Sequence, residues 1–170
     1  MTKDFESFFK NEKVWQRQAN DLFSAAEQLH VGRHGSTDGN APDPHTHLRG
    51  YIKGTLLLLS AAVENALKAA RIKQLKSKEL FKKGKPNWDV LGNSWKHHDL
   101  LGLSSQIGLA ISNEERALLE MMSRMARWAG RFQAPLFPDE FQEVRNTARS
   151  VTYPDTLQLA RQIIEKAVSL

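Results

Sequence analysis

Three groups of residues have types and spacings that could do chemistry. Glu64 and Lys68 stand four apart, one helical turn, with Leu57 and Ala61 on the same stripe. The plain reading is an i,i+4 ion pair. The sharper one is a partly buried carboxylate at the mouth of a cleft, acting as a base. His97, His98 and Asp99 are adjacent. On a helix, neighbours point about 100° apart, so the three cannot converge on one metal. Asp99 or His98 could cap a helix, and either imidazole could serve a cleft as the side chain that titrates near neutrality. Arg124, Arg127 and Arg131 fall on one face if their helix persists, with Trp128 among them. Guanidinium groups beside an indole can bind phosphates and stack bases. The alternative is that Trp128 anchors a following proline loop while the arginines pair with acids such as Glu120.

A fourth feature is a run of charge. From Lys68 to Lys85 the cations are Lys68, Arg71, Lys73, Lys76, Lys78, Lys82, Lys83 and Lys85, against Glu79 alone. Cations suit a helix C-terminus, but this run exceeds what capping requires. Lys68, Lys82, Lys83 and Lys85 are therefore candidate phosphate contacts. His30, His34, His45 and His47 sit in or beside one glycine- and proline-rich stretch. Their spacing matches no closed zinc pattern, so no metal site and no cofactor is expected. A Gly-rich phosphate loop, GxSxG, HExxH and a paired-carboxylate signature are all missing.

These residues hang on helices. The stretch 50–73, GYIKGTLLLLSAAVENALKAARIK, has four leucines pointing all round a helix, then Ala61, Ala62, Val63, Ala66, Leu67, Ala69 and Ala70. A helix apolar on every side is surrounded by protein, and small residues let neighbours approach. At ~1.5 Å per residue it spans about 35 Å. A charge at Leu58 is accordingly expected to prevent folding. A first helix is expected from about Lys3 to His30, its aromatics Phe5, Phe8, Phe9 and Trp15 in the core rather than in a ligand cage. Further helices are expected over 97–107, from Ser112, where SNEE forms a capping box, over 139–149, and from Tyr153 to Ala167. Residues 31–46 and 82–94 read as loops, and 131–138 as extended. The result is one all-α domain over 1–170, an up-and-down helical bundle of about six helices without a sheet.

With 170 residues and 41% hydrophobic content, the chain can bury a sizeable core. No apolar run reaches the roughly 18 residues of a membrane span. MTKDFESFFKNEK mixes charge into its apolar residues, unlike a signal peptide, and a cytoplasmic address is expected. The absence of cysteine excludes disulfides and thiol chemistry within these residues. A net charge of +5 permits an acidic partner without demanding one.

AAVENALKAARIK, HHDLLGLSSQIGL, EERALLEMMSRMARW and AGRFQAP together resemble the HEPN superfamily. More narrowly they resemble its bacterial members with E-x-x-L-K, H-D-L and W-x-G-R-[YF]-x-x-P elements. The resemblance covers residues 51–135 and carries Glu64, Lys68, His98, Asp99, Trp128 and Arg131 as positions of that pattern. It implies an up-and-down bundle, a homodimer, and a setting in toxin–antitoxin or defence systems. Many members are metal-independent ribonucleases that use an Arg followed after four to six residues by a His. Here no Arg stands five to seven residues before any histidine. The implied function is thus a non-catalytic or atypical binding protein for RNA, a nucleotide or a partner protein. The alternatives are a ribonuclease with a rearranged site, built from His97 or His98, Glu64 and a cation from Arg127 or Arg131, and a purely structural or dimerisation module.

Overall fold

The computed structural model describes residues 3–35, 44–75, 80–129 and 153–170. Among them, eight α-helices follow one another: α1 Lys3–Lys10, α2 Glu12–Gly35, α3 Pro44–Gln74, α4 Trp88–Leu91, α5 Asn93–Lys96, α6 Leu100–Gln106, α7 Asn113–Arg124 and α8 Tyr153–Ser169. A π-helical segment, Met125–Ala129, continues α7. The strands β1 Phe81–Lys82 and β2 Lys85–Pro86 pair antiparallel between α3 and α4. Among the described residues the fold is all-α apart from this hairpin, which the absence of strand-like alternation did not foretell. The expected helix over 139–149 and the extended 131–138 lie outside the described residues.

Helix α3 is the axis. It packs against α2 over the largest interface and also against α6, α7 and α8. Its buried stripe is Leu59, Ala62, Val63, Ala66, Leu67, Ala69 and Ala70. At Gly54 the close approach of α2 is visible: a Cβ there would sit 2.7 Å from Leu29 Cδ2. Thr55 and Ser60 are buried, and each satisfies its hydroxyl within the helix by donating to the carbonyl four residues back, Tyr51 and Leu56. The leucine run is not enclosed on all sides. Leu59 is fully buried, whereas Leu56, Leu57 and Leu58 are half-buried. Leu56 and Leu58 still pack against the edge of the core. The expectation that a charge at Leu58 prevents folding therefore moves to Leu59.

The first helix is broken where continuity was expected. Asn11 separates α1 from α2, and its side chain accepts from the Lys13 backbone N–H at 3.1 Å. That is N-cap chemistry: it satisfies a donor with no partner in the first turn. The break leaves the Phe9 carbonyl free for the Trp15 indole N–H at 2.9 Å. Phe9, Trp15, Phe81 and Trp95 then stack edge-on and tilted, with ring centroids 5.3 to 5.7 Å apart for four pairs. Phe5 and Phe8, expected inside, are exposed. The expected loop 31–46 is helical at both ends, since α2 runs to Gly35 and α3 begins at Pro44.

Helices α6 and α7 start as polar caps dictate. Asp99 caps α6, accepting from the Gly102 N–H at 3.0 Å. Ser112 and Glu115 form the capping box of α7. The Ser112 hydroxyl also donates to exposed Glu114 and, together with that residue's backbone, holds its carboxyl below the ordinary value. Glu115 does a second job. Buried, it takes both carboxylate oxygens to Lys166 Nζ at 2.7 Å, tying α7 to α8. Arg161 of α8 pairs with Glu27 of α2.

Candidate functional site

The cation run divides into inward and outward members. Arg71 turns inward and donates to the carbonyls of Val90 at 3.1 Å and Gln106 at 3.5 Å. Gln74 donates to the Ile107 carbonyl at 2.9 Å. Both serve acceptors at the ends of α4 and α6 that those helices leave unfilled. Arg71 is thus a structural cation. Lys68 also turns inward. Lys76 and Lys78 lie outside the described residues, and so does Glu79.

Lys82, Lys83 and Lys85 turn outward together. Lys83 and Gly84 have φ of 52° and 74°, the left-handed pair of a two-residue type I′ turn. Phe81 anchors one end of the hairpin by its contacts with Phe9 and Phe5. The Asn87 N–H bonds the Leu80 carbonyl at 2.8 Å and closes that same open end, opposite the turn. The three lysines line a cavity of about 390 Å³ with Pro86, Asn87, Trp88 and Asp89. Asp89 stands 3.6 Å from Lys82. Lys96 Nζ lies 4.9 Å from the centre of the Trp88 ring, and Trp88 is 38% exposed. The region 82–94 was expected to be loop. It is instead a hairpin followed by α4 and α5, which gives these side chains a fixed base. Trp88 and Lys96 were not among the expected site residues. Their signal was a tryptophan two residues past K-K-G-K-P, in a stretch read as loop.

The Glu64–Lys68 pair is more than a surface ion pair. The two residues are 7% and 8% exposed, with Lys68 Nζ 2.5 Å from Glu64 Oε1. The ammonium also lies 4.9 Å from the Trp95 ring centre and 5.7 Å from that of Trp15. The aromatic cluster is core, and it cages the chain's own lysine. His98 Nδ1 joins the pair at 3.0 and 2.9 Å from the two Glu64 oxygens. Its side chain is 35% exposed. His98 is not on a helix. It precedes α6 with φ of 52°, a left-handed backbone that is uncommon for a non-glycine residue. His97 is exposed and ends α5. The neighbours therefore diverge, though through the corner between α5 and α6 and not through helical rotation.

Arg124 and Arg127 line a cavity of about 110 Å³ with Asp99, Leu101, Glu120 and Ser123. Arg127 Nε donates to the Ser123 carbonyl at 3.2 Å. The shared face expected of Arg124, Arg127 and Arg131 assumed an α period, and the π-helical turn from Met125 changes that period. The Trp128 side chain and Arg131 lie outside the described residues, as do the side chains of His34, His45 and His47. Among the described residues no cluster of three metal-ligating side chains occurs, and no helix is long and apolar enough to cross a membrane.

No protein-family model matches the chain, and neither the curated proteins nor the solved structures give a significant match.

Proposed function

We propose that this chain is an HEPN-like helical protein that binds RNA without cleaving it. One observation carries the reading: Lys82, Lys83 and Lys85, chosen by charge alone, line one open cavity at the hairpin. Ammonium groups held together make a phosphate-binding surface, and neutralising phosphates releases counterions. Affinity for a single strand is expected to fall with salt, by about 0.7 log units per log salt for each contact. Replacing all three lysines with Ala is expected to flatten that slope while leaving the melting transition in place, since all three are exposed. In the same titration Asp89→Asn is expected to tighten binding by up to about fivefold, because it removes the carboxylate beside Lys82. An unchanged slope in the triple variant would refute the assignment.

A second reading has an observation of its own, the contact of His98 Nδ1 with both Glu64 oxygens. The carboxylate occupies Nδ1, which leaves Nε2 to exchange a proton with a substrate, the task of a general acid–base in RNA cleavage. The cation held against Glu64 is Lys68. Incubation with RNA in chelator tests this reading. The binding reading expects intact RNA, and cleavage lost in His98→Ala would put the nuclease first.

The resemblance also carries a homodimer into the proposal. Light scattering at high concentration that gave the monomer mass of 19.3 kDa would remove it.

A further inference from the structure

We propose that the cavity beside the lysine turn accepts one unpaired base, stacked on Trp88, so that the ligand is single-stranded nucleic acid. The inference rests on the RNA-binding reading and narrows it. Trp15 and Trp95 sit within the aromatic cluster of the core. Trp88 does not; it lies on the surface as part of the cavity wall. An exposed indole forgoes the burial that drives most tryptophans inward, and beside a phosphate-binding turn it offers a π-face. Bases stack on such faces whatever their identity, because every base has one.

The geometry keeps the platform and the cations in register. Trp88 opens α4 immediately after β2, and the Asn87 N–H to Leu80 carbonyl bond fixes that junction. The type I′ turn sets Lys82, Lys83 and Lys85 around the same space. Lys96 Nζ over the indole restrains the ring through a cation–π contact and adds positive charge beside it. The cavity's volume of about 390 Å³ leaves room for a flat heterocycle. Inside a duplex both faces of each base are covered by its neighbours, so away from the duplex ends only an unpaired base can stack on Trp88.

Three probes separate stacking from phosphate contact: an RNA strand of about 12 nucleotides, its duplex, and a strand of equal length built from abasic spacers. Binding is measured at low salt by fluorescence anisotropy of the labelled probes. The base-bearing strand is expected to bind about 5- to 150-fold tighter than the abasic one, the range for stacking one base on an aromatic. Trp88→Leu is expected to close that gap, bringing the base-bearing strand down to the abasic affinity. Trp88→Phe, which keeps an aromatic face, is expected to restore most of it. Equal affinities of base-bearing and abasic strands for the unaltered protein would overturn the stacking site and leave phosphate binding standing. So would Trp88→Leu weakening both strands by the same factor, since that marks a structural effect. Failure of every probe to bind would remove the RNA-binding reading and this inference with it.

Discussion

Leu59→Asp is expected to leave no cooperatively folded protein. Leu59 is fully buried on α3, in one core with Ala62, Val63, Ala66 and Leu67. α2, α6, α7 and α8 all pack on that helix. A carboxylate at this point has no cation within its own turn and no path to water. Even if it takes up a proton, its polar oxygens remain without partners. The cost is several kcal/mol on top of the lost leucine burial, against a total stability of about 5–15 kcal/mol. Leu58 supplies the control. It is half-buried at the edge of the core, so an aspartate there can turn to solvent. Thermal melts followed by circular dichroism should show no transition for Leu59→Asp and a lowered but cooperative one for Leu58→Asp. A cooperative melt of Leu59→Asp near the unaltered temperature would mean that α3 is not the centre of the core.

The distinction between these adjacent leucines was present in the sequence but obscured. Four leucines in a row look alike, and periodicity within the run cannot rank them. Tracing the stripe backwards from Ala70 through Ala66, Val63 and Ala62 at steps of three and four reaches Leu59. Asn11 was legible too, as a capping residue just before Glu12. The aromatic period of Phe5, Phe9 and Trp15 ran across it and hid the break. The hairpin was not legible by period at all, because its two-residue strands are too short to alternate. Its mark is local: positive φ at Lys83 and Gly84, in a stretch that read only as loop.

The site divides in the same way. The i,i+4 spacing of Glu64 and Lys68 announces a pair, but its burial depends on Trp15 and Trp95, distant in sequence. The third member follows from backbone geometry. His98 reaches Glu64, 34 residues away in sequence, from a left-handed backbone conformation that hydrophobic periodicity does not reveal. Lys82, Lys83 and Lys85 were found by charge because exposure is the default for lysine. Trp88 was passed over for the converse reason, since the default for tryptophan is the core.

The pair on α3 is expected to give the largest response among polar substitutions. Glu64→Leu leaves the Lys68 ammonium 8% exposed and without its carboxylate. Removing one partner of a buried pair costs about 3–5 kcal/mol. The faces of Trp95 and Trp15 still attract the cation, which places the loss toward the lower end. Lys68→Leu strands a carboxylate instead, but His98 Nδ1 remains bonded to it, so the loss should be smaller. The double variant removes both charges from an aromatic surround that accepts leucine. Its cost should fall well below the sum of the two single costs, because replacing a buried pair with apolar residues is often nearly neutral. His98 then loses its partner, but its ring is partly exposed and water can take the place of the carboxylate. Urea midpoints of the four proteins give the coupling directly. Additive losses would mean that Glu64 and Lys68 are stabilised independently, and that the ion pair does not account for a buried carboxylate and a buried ammonium on one helical turn.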